Sequence, residues 1–227
     1  MTIIKVGHRG AMGYEPENTL RSFKKALELG VDMIEFDVYV CKSGELVVIH
    51  DDTLERTTNG EGLVVEKTLS ELKELDAGKE EKIPTIEEVM DLADKKVKIN
   101  IELKGDNTAK PVLNMIEKYV DEKGWKYDDF LVSSFNHNEL KKFKELNPKI
   151  KTGILFEEIP DNFMDFTEKA DAYSINIPIK YATHEFVKNA HSHGLKVYVW
   201  SANEAEEMQK AKSLNVDYIC SNFPDKI

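Results

Sequence analysis

The sequence of 227 residues predicts an α/β fold in which eight parallel strands close into a (β/α)8, or TIM-type, barrel. Two observations predict it: short apolar runs recur along the whole chain, and longer amphipathic segments separate most of them. A barrel of this kind usually needs about 250 residues, so we expect a lean one. The strand-like runs are Ile3–Gly7, Met33–Asp37, Val97–Glu102, Leu131–Ser134, Lys151–Leu155, Ala172–Ile175, Lys196–Trp200 and Asp217–Cys220.

The segments between these runs place apolar residues three and four positions apart, which is the spacing of one helix face. In Asn18–Leu29, for example, Leu20, Phe23 and Leu27 share a face, and Gly30 is a plausible stop. Because only seven residues follow Cys220, we expect the eighth helix to be almost absent. The other helix candidates are Thr85–Ala93, Ala109–Lys123, His137–Leu146, Asp161–Lys169, Thr183–His193 and Asn203–Ser213.

A ninth strand-like run, Leu46–His50, interrupts the alternation of strands and helices. It follows the second strand too closely for a helical crossover, which needs a dozen or more residues. We therefore predict an antiparallel hairpin with a two-residue loop at Ser43-Gly44. In that register His50 lies directly opposite Asp37, with its side chain on the same face.

The polar stretch 51–82 is predicted to be an excursion from the barrel, inserted between the hairpin strand and the next helix. It contains a turn signal at Asn59-Gly60 and one short helix candidate, Ser70–Leu75. Loops at this point of a barrel lie on the C-terminal face, where active sites are found. We expect one catalytic domain over residues 1–227. A doubly wound open sheet is the alternative, but no G-x-G-x-x-G motif follows the first strand.

Composition narrows the class of protein. Lys and Arg total 31 against 42 Asp and Glu, a net charge of −11, which argues against a nucleic-acid or anionic-membrane binder. No run approaches the ~18 apolar residues of a membrane span, and the start MTIIKVGHRG does not resemble a signal peptide. Two distant cysteines, Cys41 and Cys220, do not make a disulfide framework, so a cytoplasmic location is expected. Oligomeric state stays open.

Charged residues recur where three neighbouring strands end, and the hairpin adds another. If the barrel is right, their side chains converge on one rim. Residues two apart on a strand point to the same face, which applies to the pair on the second strand and to the pair on the third. The converging residues are His8 and Arg9, Glu35 and Asp37, His50, and Glu102 and Lys104.

Three carboxylates at close range raise one another's pKa unless they share protons or bind a cation. Oxygen-rich coordination favours one hard divalent ion, Mg²⁺ or Ca²⁺, over zinc, and carboxylate count does not separate the two. Arg9 and Lys104 supply positive charge for a phosphate group. Histidines on either side of a phosphorus centre would serve as general acid and base.

These residues belong to a string that resembles the glycerophosphodiester phosphodiesterase family. The string is HRGAMGYEPENTLRSFKKALELGVDMIEFDVYVCKSGELVVIHDDTLERTTNGEG. The segments NIELK, SSF, VWSAN and SNFPD then follow in the expected order, so the resemblance spans nearly the whole chain. Two departures are Cys41, where Thr is common, and Asn222, where Asp is frequent.

The resemblance implies a (β/α)8 barrel with a small inserted subdomain and metal-dependent hydrolysis of a small-molecule glycerophosphodiester to glycerol 3-phosphate and an alcohol. It does not indicate which alcohol is preferred, nor whether water or the substrate's own 2-hydroxyl attacks. The roles that it implies are metal ligation by Glu35, Asp37 and Glu102, acid–base catalysis by His8 and His50, phosphate contacts by Arg9 and Lys104, a place near the site for Glu17, and an apolar wall beside the glycerol from Phe135 and Trp200.

Two other functions remain open from the residues alone. Glu35 and Glu102 would also suit a retaining glycosidase, which needs a pair of carboxyl groups and no metal. A barrel that binds glycerophosphodiesters without cleaving them is the non-enzymatic alternative. Chelation of metal ions separates the phosphodiesterase from the glycosidase, and release of product separates both from the binding protein.

Overall fold

The computed structural model describes residues 3–227. Eight parallel strands close into a ring, because the first strand pairs with both the second and the last. One further strand lies outside the ring, antiparallel to β2. The strands are β1 Ile4–Gly7, β2 Met33–Val40, β3 Leu46–Val48 (the outer one), β4 Lys98–Leu103, β5 Phe130–Ser134, β6 Lys151–Leu155, β7 Ser174–Pro178, β8 Lys196–Trp200 and β9 Tyr218–Ser221.

Helices cover the outside of the ring, and most begin one or two residues later than the sequence pattern predicts. The reason is capping: Thr19, Thr85 and Thr183 accept hydrogen bonds from the first helical turn and so remain outside it. The helices are α1 Leu20–Glu28, α2 Leu69–Glu74, α3 Ile86–Ala93, α4 Ala109–Lys123, α5 His137–Leu146, α6 Phe163–Lys169, α7 His184–Ser192 and α8 Ala205–Ser213. After β9 the chain makes one short 3-10 turn, Pro224–Lys226.

The prediction for β7 was early by two residues at its start and three at its end. Asp171 adopts a left-handed conformation, with φ +45°, that turns the chain after α6. Pairing with the neighbouring strand then begins at Tyr173, whose N–H donates to the carbonyl of Thr152 at 2.8 Å. The apolar run Ala172–Ile175 therefore includes the end of this turn, and the strand continues to Pro178.

The predicted hairpin exists, but its predicted register was wrong by one residue. Val38 pairs with Val48, and Ile49 N–H donates to the carbonyl of Asp37 at 3.1 Å, so His50 does not lie opposite Asp37. The loop has three residues rather than two, and its last one, Gly44, has φ +102°. A glycine with positive φ at that position is typical of three-residue hairpin loops.

Three apolar clusters hold these elements together. The largest lies between the ring and its helices. A small cluster inside the ring, built on Val6, Met33, Leu131 and Tyr198, closes the barrel beneath the C-terminal ends of the strands. The third joins the hairpin to residues of the 51–82 stretch, including Leu54, Val64 and Leu72. Within residues 3–227, the structure has no helix that is both long and apolar enough to cross a bilayer.

Candidate active site

The loop after β1 is held in an unusual conformation. Arg9 and Gly10 both have positive φ, +49° and +86°. A Cβ atom on Gly10 would lie 2.4 Å from the Ser22 hydroxyl, so only glycine fits there. The same hydroxyl donates to the Arg9 carbonyl at 2.8 Å and accepts from Ala11 N–H at 2.9 Å. Helix α1 therefore fixes the segment that carries His8 and Arg9 over the mouth of the barrel.

Three carboxylates meet inside the ring, as the pattern of strand ends predicts. Glu35 and Asp37 share the inner face of β2, and Asp37 is level with Glu102 on the adjacent strand β4. One oxygen from each of the three lies within 4.8 Å of the others, and all three residues are at most 9% exposed. Arg9 N–H donates to Glu35 at 2.8 Å, and the Asn18 amide donates to Asp37 at 2.9 Å.

The electrostatics of this cluster fit a cation. Burial, reinforced by the charges of Asp37 and Glu102, raises the pKa of Glu35 well above its usual value. Burial and then Asp37 raise the pKa of Glu102 to about 7. Two cations lie nearby, with Arg9 Nε 3.5 Å from Asp37 and Lys104 Nζ 2.9 Å from Glu102, yet they do not offset the burial of Glu35 and Glu102. These oxygens form the donor set that a hard divalent ion prefers.

His8 reaches the same cavity from the end of β1. Its Nδ1 lies 2.6 Å from the side-chain oxygen of Asn222, so Nδ1 carries the proton and Nε2 is free to accept one. Burial, followed by the charge of Arg9, lowers the pKa of His8 to about 4. The ring is therefore neutral near pH 7.

His50 reaches the cavity from the chain beyond β3, despite the shift in register. Its Nδ1 lies 2.5 Å from Asp51, and its Nε2 lies 3.1 Å from Lys104 Nζ. Burial lowers the pKa of His50, although the charge of Asp37 opposes the change. Burial also disfavours the charged form of Lys104, but Glu102 and then Asp37 outweigh it and raise the pKa of that lysine. Lys104 thus stays charged between the second histidine and the carboxylates.

Arg56, from the 51–82 stretch, joins the two sides of the site and was not among the residues predicted from the sequence. It donates to both oxygens of Asp51 and to both oxygens of Glu17. Glu17 in turn accepts from Arg9 at 2.7 Å. Burial disfavours the Glu17 carboxylate, but Arg56 and then Arg9 lower its pKa to about 2. An arginine five residues after the histidine-aspartate pair was the available signal.

A cavity of about 550 Å³ opens among these side chains. Phe135 and Trp200 form one side of it, with ring centroids 5.7 Å apart and planes at 89°. Of the residues predicted for the site, all line this cavity except Glu17 and Asp37, which lie behind Arg9 and Glu102. The sequence pattern did not identify the polar groups deeper in the barrel, which are Asn100, Asn176, Tyr198 and Cys220.

The sequence of this chain is similar to those of one family of known proteins. Residues 8–226 match the sequence model of the Glycerophosphoryl diester phosphodiesterase family. The glycerophosphodiester phosphodiesterase of Caldanaerobacter subterraneus subsp. tengcongensis is 36% identical over 237 residues, covering 100% of this chain and 97% of the relative. The glycerophosphodiester phosphodiesterase of Bacillus altitudinis is 38% identical and covers 96% of this chain and 94% of its own.

Solved structures agree in fold. An Oleispira antarctica phosphodiesterase, determined in complex with the product sn-glycerol-3-phosphate, superposes with a TM-score of 0.89 at 32% identity, covering 98% of this chain and 94% of that one. The glycerophosphodiester phosphodiesterase of Thermotoga maritima superposes with a TM-score of 0.82 at 29% identity, covering 99% and 96%.

Proposed function

The chain belongs to the glycerophosphoryl diester phosphodiesterase family, and from that premise we propose that it hydrolyses a glycerophosphodiester to glycerol 3-phosphate and an alcohol. The observation that supports this most strongly is the single cavity in which Glu35 and Glu102, with Asp37 behind them, face His8 and His50. The product bound to the Oleispira relative is the same glycerol 3-phosphate.

We propose that Glu35, Asp37 and Glu102 hold one divalent cation, Mg²⁺ or Ca²⁺. The support is local: three buried acids with oxygens within 4.8 Å of one another, two of them with raised pKa values. Such an ion supplies positive charge that withdraws electrons from the phosphoryl group and stabilises the charge developing there. Ca²⁺ accepts six to eight oxygens with flexible geometry, whereas Mg²⁺ needs a nearly ideal octahedron, so both are to be tested.

Arg9 and Lys104 are the groups that we assign to the phosphate oxygens. Arg9 is fixed by the conformation of its own backbone and by Glu17, and it offers a planar fork of donors. Lys104 is a point charge held beside Glu102. With the phosphate of the substrate bound by Arg9 and Lys104, Phe135 and Trp200 are available to pack against the glycerol carbons.

We assign proton abstraction to His8 and proton donation to His50. Burial and then Arg9 lower the pKa of His8 and keep the ring uncharged, and Asn222 accepts its Nδ1 proton, so Nε2 presents a free lone pair to the attacking hydroxyl. His50 has a carboxylate partner, Asp51, which favours an imidazolium, whereas burial and the Lys104 ammonium, 3.1 Å from Nε2, oppose it. The role of proton donor therefore requires Lys104 to turn from His50 to the phosphate oxygens when substrate binds. His8 would then activate the attacking hydroxyl, and His50 would protonate the departing alkoxide.

The attacking group is either water or the 2-hydroxyl of the glycerol. The second route forms a cyclic phosphate, which water then opens in a further step with the histidine roles reversed. Phosphorus NMR during a single turnover distinguishes them, because only the second route passes through a cyclic diester.

The test of the proposed function is release of glycerol 3-phosphate from glycerophosphocholine and glycerophosphoethanolamine. We expect EDTA to abolish release and Mg²⁺ or Ca²⁺ to restore it. His8→Gln and His50→Gln are each expected to lower turnover by about 10²-fold or more. His193→Gln, at an exposed position directly after α7 and outside the cavity, is the matched control. Full activity in EDTA would contradict the metal requirement, and normal turnover in both histidine variants would contradict their catalytic roles. Absence of glycerol 3-phosphate release under all conditions would reject the phosphodiesterase and leave the glycosidase or the binding protein.

We further propose that the chain is one catalytic domain with residues 51–82 as an insertion, and that it works in the cytoplasm. The insertion packs on the hairpin through its own small apolar cluster. Both cysteines, Cys41 and Cys220, are unpaired and buried, which suits a reducing compartment. Cell fractionation with an antibody to the chain tests the location.

A further inference from the structure

We propose that the cavity holds a second, alternative cation site, formed by His8, Glu35 and Cys220, which binds a soft or borderline divalent ion such as Zn²⁺ or Cd²⁺ and inhibits the enzyme when filled. No role in the proposed hydrolysis was assigned to Cys220. The binding half of the proposal is independent of the proposed function, whereas the inhibitory half rests on it.

The geometry brings three different donor types together. A ring nitrogen of His8, a carboxylate oxygen of Glu35 and the sulfur of Cys220 all lie within 4.8 Å of one another. His8 follows strand β1, and Cys220 is on β9, the strand that pairs with β1 when the ring closes. Cys220 is 1% exposed, yet it lines the cavity, so an ion that enters the cavity reaches its sulfur.

The chemistry of this set differs from that of the carboxylate cluster. One imidazole, one thiolate and one carboxylate are ligands that zinc accepts together, and three protein ligands with an open fourth position are typical of accessible zinc sites. Soft thiolate ligands select soft or borderline ions, while Mg²⁺ and Ca²⁺ prefer the oxygens of Asp37 and Glu102. We therefore expect hard cations to bind at the carboxylate cluster and soft or borderline cations to bind at Cys220 and His8, within the same cavity.

The surroundings of His8 suit a metal ligand. Asn222 accepts the Nδ1 proton at 2.6 Å, which fixes the ring and leaves Nε2 with its lone pair. Metal-binding histidines commonly donate their other ring N–H to an oxygen in this way. On binding, the Cys220 thiol loses its proton to solvent and the sulfur bonds to the ion as a thiolate, so no other reactant is needed.

Inhibition follows from two shared residues. An ion bound to His8 Nε2 occupies the lone pair assigned to proton abstraction. The same ion engages Glu35, which we assign to the hard cation, so filling one site weakens the other. Inhibition by Zn²⁺ should therefore be partly relieved by raising the concentration of Mg²⁺ or Ca²⁺.

The direct test is Cd²⁺ titration of the purified protein, followed by ultraviolet thiolate-to-cadmium absorption. We expect the absorption in the wild type and in Cys41→Ser, because Cys41 lies next to the hairpin loop, beside Ser43 and Glu45 and outside the cavity. We expect it to be lost in Cys220→Ser and in Cys220→Val, the second variant guarding against a failure to fold. An absorption band that persists in the Cys220 variants, or that is lost in Cys41→Ser, would overturn the proposed second cation site.

The activity test is inhibition of diester hydrolysis by Zn²⁺ at a fixed concentration of Mg²⁺. Loss of a thiolate ligand should raise the half-inhibitory Zn²⁺ concentration at least about tenfold in Cys220→Ser, since even outer-sphere changes cost 10–100-fold in metal affinity. Cys41→Ser should behave as the wild type. Equal inhibition of Cys220→Ser and wild type would refute the inhibitory role, even if cadmium binds. A wild type with no hydrolase activity would instead reject the proposed function and leave the cadmium result intact.

Discussion

Arg56 offers the sharpest test of how the site is held together. It is 47% exposed on its side chain, so it contributes little to the core. Yet it bonds Asp51, which orients His50, and Glu17, which holds Arg9. Replacing Arg56 with Met should therefore damage turnover much more than stability.

The magnitude follows from these contacts. Exposed ion pairs are worth about 0.2–1 kcal/mol each, and Arg56 pairs with two carboxylates, so unfolding free energy should fall by about 1–2 kcal/mol at most. A general acid or base contributes about 10²–10⁴-fold to the rate, and loss of its orientation forfeits part of that contribution. We expect Arg56→Met to lower kcat by at least about tenfold. KM should rise less, because Arg9 keeps its backbone conformation and its own contact with Glu17.

The assay is steady-state release of glycerol 3-phosphate together with urea unfolding. Arg21→Met is the matched control: Arg21 is 50% exposed and pairs with Glu15 at 2.5 Å. Asp51→Asn should reproduce the loss in kcat, and Arg56→Lys should recover part of it, since lysine restores the charge but not the fork. The reasoning fails if Arg56→Met keeps a kcat within about twofold of Arg21→Met.

Three further predictions concern protonation and backbone conformation. Asn222→Asp should move the acid limb of the kcat/KM profile to higher pH. A carboxylate beside His8 raises the pKa of that ring from about 4, so the ring stays protonated up to a higher pH. An acid limb at the wild-type position would exclude His8 as the group that titrates there. In the metal-free protein, the free energy of unfolding should fall as pH rises from about 5 to about 8. Burial and then Asp37 raise the pKa of Glu102 in the folded state to about 7, whereas the unfolded chain releases that proton at lower pH. Urea unfolding of Glu102→Gln should depend less on pH, and a pH dependence equal to that of the wild type would contradict the prediction. Gly10→Ala should lower the free energy of unfolding by at least about 2 kcal/mol, because alanine disfavours the positive φ and its Cβ clashes with Ser22. Thermal and urea denaturation measure this change, and a melting curve like that of the wild type would show that the loop is not held as described.

The ring of strands was predictable because each strand is an apolar run of the right length, and the barrel was inferred from their number and alternation. The carboxylates were predictable for the same reason: Glu35, Asp37 and Glu102 interrupt such runs where the strands end. The alternation of side chains along a strand determines which face these carboxylates point to. Because the carboxylates lie on the strands themselves, their positions do not depend on the conformation of a loop.

Features that depend on loops were harder to predict. The hairpin register turned on the conformation of Gly44, and a one-residue difference in loop length changes every cross-strand pair. Arg56 reaches the site through a polar stretch with no periodic pattern, so its charge was evident from its residue type but the direction of its side chain was not predictable. Asn222 differs from the residue frequent in the family, and nothing in the sequence pattern indicates that it is the partner of His8.

The partnership of His8 with Asn222 links positions 214 residues apart in the chain. On a ribosome, the carboxylates and His50 exist long before Asn222 is made, but His8 lacks its partner until the ring is joined by β9. Long-range contacts of this kind form late, since the chain between them must first be ordered. The histidine that we propose as the base therefore acquires its partner only after β9 has joined the ring.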